Sequence, residues 1–271
     1  MCFRFCRSVN SFSTTTLTLL CPLVAIAGLM LTGVTQAAEV SVAVAANFAT
    51  PMKKLAIEFE KATGHKMQVS LGSTGKFYAQ IKHGAAFEAL LAADEKTPAR
   101  LEQEGLAVKG SRFTYAIGKL VLWSQRTNLV DSKGTVLHTG TFEQLALADP
   151  KVSPYGNAAV QTLTRLARLE QLRGRLIFGE GIAQVYQFVA TGNASLGFVA
   201  LSQVMTDGRI EQGSFWLVPT DLYDPIRQGA VLLKAGQNKP AAVAFLTFLQ
   251  SNKACELIRA YGYSFDGHVW K

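Results

Sequence analysis

Short apolar runs alternate with amphipathic stretches along nearly the whole chain, and this rhythm constrains the fold more than any other feature. Short apolar runs bounded by turn residues read as buried strands, whereas apolar positions recurring at i, i+3, i+4 and i+7 read as one face of a helix. Residues 40–45, 67–71, 87–92, 120–123, 176–178, 196–201, 215–218 and 230–233 fit the first pattern. Residues 75–83, 95–104, 157–172, 182–190, 240–250 and 252–261 fit the second, and 142–147 reads as a short helix before Ala148-Asp149-Pro150. A further helix is predicted to begin at Thr50-Pro51, with Thr50 as cap and Pro51 at the first helical position, and to end at Gly64. Its buried face is Met52, Leu55, Ala56 and Phe59. Alternation of this kind predicts an α/β fold with mainly parallel sheets and helices on both faces. The length is large for one core, so two lobes are expected.

The first residues read as an export signal. Arg4 and Arg7 form a basic head, an uncharged stretch follows over residues 17–34, and Thr35-Gln36-Ala37 has the small outer residues of a cleavage site. Cleavage after Ala37, and hence a periplasmic location, is expected. An uncleaved anchor is the alternative. Cys21 follows two leucines, where lipid attachment would favour a small residue. Cys2, Cys6 and Cys21 leave with the signal, so the mature chain keeps only Cys255 and has no internal disulfide. Without Arg4 and Arg7 there remain 25 basic and 19 acidic residues, a scattered net charge of +6. No basic run interleaved with aromatics marks a nucleic-acid surface.

Four loops share one construction: Ala45-Ala46-Asn47, Gly72-Ser73-Thr74-Gly75, Ser153-Pro154-Tyr155-Gly156 and Gly179-Glu180-Gly181-Ile182. Each carries small, hydroxyl or amide residues between a strand-like and a helix-like stretch. A helix start offers unpaired N–H groups and the positive end of a dipole, which suits an anion. In open α/β sheets, ligands sit beyond the carboxyl ends of strands, and three of these loops fall there. The loop at Ser153 follows a weaker strand signal around residues 145–148. Taken singly, Asn47 and Thr74 read equally well as helix caps, and Tyr155-Gly156 as a turn.

Sharper motifs fail on inspection. Gly72-Ser73-Thr74-Gly75-Lys76-Phe77 has glycines too close for a phosphate loop, and Phe77 stands where Ser or Thr belongs. Ser73-Thr74-Gly75-Lys76 matches the S-x-x-K nucleophile motif without its companions, which leaves a secreted serine hydrolase built on Ser73 and Lys76 as a remote alternative. Gly179-Glu180-Gly181 begins a dinucleotide pattern, but Gln184 occupies the third glycine's place. His65, His83, His138 and His268 lack metal-ligand spacing, so neither a metal nor a cofactor is expected.

At these residues the chain resembles the periplasmic molybdate-binding proteins of ABC-type uptake systems, within the type II periplasmic solute-binding fold. The marks are Val44-Ala45-Ala46-Asn47-Phe48, Gly72-Ser73-Thr74-Gly75 with Tyr78-Ala79-Gln80-Ile81, and Ala93-Asp94-Glu95-Lys96. Pro154-Tyr155-Gly156, Leu196-Gly197-Phe198-Val199-Ala200-Leu201 and Tyr261-Gly262-Tyr263 complete them, and residues 110–120 are similar to one subgroup. The resemblance implies two α/β lobes joined by two crossing strands. Residues 1–37 would be the signal peptide, 38–118 completed by 228–271 one lobe, and 119–227 the other. It implies a non-catalytic monomer that holds molybdate, and tungstate, in the cleft and delivers it to an ABC permease with its ATPase. Sulfate, phosphate or an organic anion on the same fold is the alternative ligand. Carried over by position, the anion contacts fall on Ala46, Asn47, Thr74, Tyr155 and the backbone of Ile182, with Asn47 offering its side-chain amide. Ala46, Thr74, Ala92 and Ala200 depart from residues usual at these places, and Tyr155 is the candidate substitute for the hydroxyl that Ala200 lacks.

Overall fold

The computed structural model describes residues 37–206 and 208–265. The signal peptide, Cys2, Cys6, Cys21 and His268 fall outside the described residues, Ala37 excepted. Two sheets organise the rest, each with its own helices. The chain runs β1 (Glu39–Ala45), α1 (Ala49–Thr63), β2 (Lys66–Gly72), α2 (Thr74–Lys82), β3 (Ala89–Leu91), α3 (Lys96–Gln103) and β4 (Phe113–Gly118). It continues through β5 (Leu120–Ser124), α4 (Val136–Thr139), β6 (Leu145–Ala148), α5 (Pro154–Arg165), α6 (Leu169–Leu172), β7 (Leu176–Gly179), α7 (Ile182–Ala190) and β8 (Leu196–Ala200). After α8 (Leu201–Val204), β9 (Met205–Thr206), β10 (Arg209–Ile210) and β11 (Ser214–Leu217), β12 (Ile226–Leu232) returns to the first sheet, and α9 (Pro240–Leu249) and α10 (Asn252–Ala260) pack beneath it.

The strand orders are β2-β1-β3-β12-β4 and β11-β5-β8-β6-β7. Each sheet contains the same device. From β1 the chain passes through a helix to β2 on one side, then through another to β3 on the other, with both pairings parallel. From β6 it does the same to β7 and β8. The chain therefore reverses direction across each sheet at β1 and at β6, and the carboxyl ends of these strands open a crevice. The mainly parallel sheets expected from the sequence are mixed. Strands β12, β5 and β11 join antiparallel, because the chain crosses between sheets twice, at Lys119 between β4 and β5 and again between β11 and β12.

Alternation along β1 feeds two layers. Val40, Val42 and Val44 pack with Phe48, Met52, Leu55, Phe59 and Phe245, while Ala43 faces Phe77, Ile81 and Leu90 on the other side. Burying side chains of this size contributes about 1.5–3 kcal/mol each, which is enough to fix the strand register and hence where each loop emerges.

Several local expectations are corrected. Residues 145–148 are strand rather than helix; all four are fully buried, and a short continuous apolar run has no period that separates the two states. The helix before Gly64 starts at Ala49, after a 3-10 turn at Ala46–Phe48, so Phe48 occupies the cap and Thr50 lies inside the first turn. The stretch 157–172 is two helices. Arg165 ends the first and Ala167 adopts a left-handed φ of 54°, a break without a glycine to announce it. Strand β4, with its polar Thr114, was not legible as a strand. Among the described residues no helix is long and apolar enough to cross a membrane.

Candidate functional site

All four small-residue loops meet at one place. Loop one leaves β1 at Ala45, loop two leaves β2 at Gly72, loop three follows β6, and loop four leaves β7 at Gly179. They enclose a small cavity lined by Ala45, Ala46, Asn47, Gly72, Ser73, Thr74, Ala93, Ser153, Pro154, Tyr155 and Ile182. The five sequence-derived contact residues are therefore brought together, from both lobes. None of the lining residues is charged.

Each loop is held by local chemistry. Ser153 caps α5 by accepting from the Gly156 N–H at 3.3 Å, with Pro154 at the helix start. Gly156 is obligatory, since a Cβ there would lie 2.2 Å from the Ala148 carbonyl oxygen. The Thr74 hydroxyl is no helix cap. Its oxygen accepts from the Ala93 N–H at 2.9 Å, which leaves the hydroxyl proton for the cavity. The N–H groups of Thr74, Tyr155 and Ile182 belong to the first turns of α2, α5 and α7, which helix geometry leaves without intrahelical acceptors. Their dipoles add favourable potential for an anion.

The lobes touch across the cavity. The Gly75 N–H donates to the Val152 carbonyl at 3.1 Å. Lys76 pairs with Glu180 at the exposed rim, and that hydrogen bond holds the Glu180 carboxyl below its ordinary pKa. This pairing removes the basis for the hydrolase alternative, because Lys76 does not contact the Ser73 hydroxyl, which has no hydrogen-bond partner.

Behind the cavity lies a buried polar network that sequence reading missed. Gln228 on β12 accepts from the Asn47 amide at 2.9 Å and from the Tyr115 hydroxyl at 2.9 Å, and donates to the Tyr155 oxygen at 3.1 Å. Asn47 also donates to Tyr263 at 3.0 Å, while Ser202 donates to the Asn47 carbonyl at 2.7 Å. The network ties α5 and α8 of one lobe to the crossing strands and the first loop of the other. It corrects the expectation for Asn47. Both hydrogens of its side-chain amide are engaged, so the group left for the cavity is the backbone N–H. The Tyr155 oxygen is seated between the crossing strands, where a Cβ on Gly118 would lie 2.1 Å from it. Burial pushes the Tyr115 and Tyr155 phenols well above the usual range and Tyr263 up to about 12, so all three remain protonated near neutral pH. Ala200 ends β8 fully buried.

Comparison with known proteins fixes the family. The model of the bacterial extracellular solute-binding proteins matches residues 40–264. The chain belongs to that family. Among curated members it is similar to the molybdate-binding protein ModA of Azotobacter vinelandii, 58% identical over 228 residues that cover 84% of this chain and 90% of the relative. ModA of Rhodobacter capsulatus is 52% identical over 227 residues, covering 84% and 88%. Among solved structures the periplasmic molybdate-binding protein of Azotobacter vinelandii superposes with a TM-score of 0.82 at 41% identity, over 84% of this chain and 99% of that one. The cavity stands where the switch points of the two sheets face each other.

Proposed function

We propose that this chain is an exported solute-binding protein that captures molybdate between its lobes and delivers it to an ABC permease and its ATPase. The observation that carries the reading is the cavity itself: four loops from two lobes, none of the lining residues charged, in a chain 58% identical to a molybdate-binding protein. Tungstate, of the same shape and charge, is the second ligand of this reading. A tetrahedral oxyanion ionised at neutral pH presents only acceptors, and hydrogen bonds to it contribute about 1.5–3 kcal/mol each. Five donors give on the order of 8–15 kcal/mol gross, against an association cost of about 4–15 kcal/mol. Micromolar or tighter binding needs no Lys or Arg in the site.

The binding set comprises Ala46, Asn47, Tyr155 and Ile182 through backbone N–H groups and Thr74 through its hydroxyl. The lobes are taken as residues 38–118 with 228–271, and 119–227. The mature chain starts after Ala37, works as a monomer in the periplasm and catalyses nothing. A thermal-shift panel with molybdate, tungstate, sulfate and phosphate tests the reading. Strong stabilisation by the first two is expected, and stabilisation by sulfate equal to that by molybdate would overturn it.

A further inference from the structure

The Ser73 hydroxyl is the one buried side-chain oxygen or nitrogen among the described residues without a hydrogen-bond partner, and it belongs to a residue lining the cavity. Every ordinary explanation for a serine at this place fails on the structure. Ser73 occupies the N-cap position of α2, yet its side chain makes no capping bond. The neighbouring cation cannot serve it, because Lys76 is paired with Glu180. The Thr74 hydroxyl, one residue on, is anchored on the Ala93 N–H, whereas Ser73 is anchored on nothing. Its Cβ faces Gly181 of the opposite lobe, 3.5 Å from where a Cβ on that glycine would stand, so the closed cleft shields the hydroxyl from solvent. Leaving that hydroxyl unpaired costs stability whenever the cleft is closed and empty.

We infer that Ser73 is a further anion ligand, a hydroxyl donor from loop two that is satisfied only when the oxyanion is bound. Ala46 in loop one brings no side-chain donor, so Ser73 and Thr74 together supply the hydroxyl pair of this lobe. The oxygen of Ser73, having no other donor to serve, turns its proton to the ligand. The inference rests on the molybdate reading, and it gives Ser73 a signature that a helix cap lacks. Removing a cap weakens the empty protein. Removing an unpaired hydroxyl leaves the empty protein as stable or more stable and weakens only the complex.

The test is titration calorimetry with sodium molybdate on wild type, Ser73→Ala and Ser73→Cys, with the melting midpoint of each ligand-free protein. For Ser73→Ala we expect affinity to fall tenfold to a hundredfold with an unchanged or raised ligand-free midpoint. Ser73→Cys, a weak donor of similar size, should fall between. Wild-type affinity in Ser73→Ala, or a lowered midpoint with unchanged affinity, would overturn the inference. A wild type that does not bind molybdate would sink the molybdate reading instead, so the two failures are distinct.

Discussion

Gln228→Met removes the hub of the buried network while keeping side-chain length. In wild type the Gln228 carbonyl oxygen serves two donors, the Asn47 amide and the Tyr115 hydroxyl, and its NH₂ serves Tyr155; the residue is fully buried. The methionine leaves two donors without their acceptor in a place water does not reach. Each costs about 1–3 kcal/mol. Tyr115 recovers part of its loss, since its hydroxyl already lies 3.4 Å from the Ala92 carbonyl oxygen. A net loss of about 2–4 kcal/mol follows, which for a domain of this size lowers the melting midpoint by roughly 4–16 °C. Thermal and urea denaturation of the ligand-free protein measures it. A double-mutant cycle makes the assignment specific: in the Gln228→Met background, Tyr115→Phe should cost clearly less than in wild type, because only the longer contact to the Ala92 carbonyl oxygen is left to lose. A midpoint within about 1 °C of wild type, or full additivity of the two substitutions, would refute the argument.

Other outcomes follow from single contacts. Thr74→Ala removes a hydroxyl anchored on Ala93 and should weaken molybdate binding tenfold to a hundredfold by calorimetry, about 1–3 kcal/mol; unchanged affinity would make Thr74 a structural residue. Gly75→Ala places a Cβ 2.9 Å from the Val152 Cα across the cleft, so it should weaken binding by opposing closure while leaving the open, ligand-free protein as stable or slightly more stable. Asp94 beside the site has its carboxyl pushed above the ordinary value, chiefly by burial and against the opposing hydrogen bonds from Thr97. Between its unfolded and folded pKa values the folded state binds more protons, so stability falls as pH rises through that window. Asp94→Asn should therefore raise the ligand-free midpoint at pH 7, with the gain vanishing in acid where the folded wild type is already protonated.

The loops were legible because each announces itself locally. Ser153-Pro154 is a cap and helix start, Gly179 to Ile182 opens a helix found over Ile182–Ala190 as expected, and β1 shows its apolar run plainly. Their meeting point followed from strand order alone. The network behind the cavity was illegible for the opposite reason. Asn47 and Tyr263 stand 216 residues apart, and Gln228 sits on a strand where a lone polar residue reads as surface. Sequence shows that an amide lies in loop one; only the fold shows that β12 and the carboxyl-terminal turn consume both its hydrogens. Ser73 was hidden in another way, since its motif drew attention as a nucleophile, and only the absence of any partner shows it as a ligand.

The uncharged cavity also dictates how binding responds to pH and to the choice of anion. The lining group that titrates is the Tyr155 phenol, and burial holds it protonated far beyond neutrality. Backbone N–H and hydroxyl donors do not change between pH 6 and 8, the interval in which a histidine would gain or lose its charge. Molybdate is a dianion throughout that interval. Its affinity should be flat across it, and a tenfold change by calorimetry would show that a titrating group takes part. Phosphate behaves differently, because it keeps a proton near neutral pH. Enclosed among donors, that proton can face only a hydroxyl oxygen such as that of Ser73, whose own proton must then turn away from the ion, and each bond so lost costs about 1–3 kcal/mol. Sulfate carries no proton but is smaller, so a cavity shaped for the larger ion leaves some of its oxygens out of reach of donors fixed on opposite lobes. Phosphate should therefore bind poorly and improve as pH rises, sulfate should bind poorly at every pH, and molybdate should be indifferent. Phosphate affinity that rises on acidification would mean the cavity holds an acceptor, and that the donor-only description of the site is wrong.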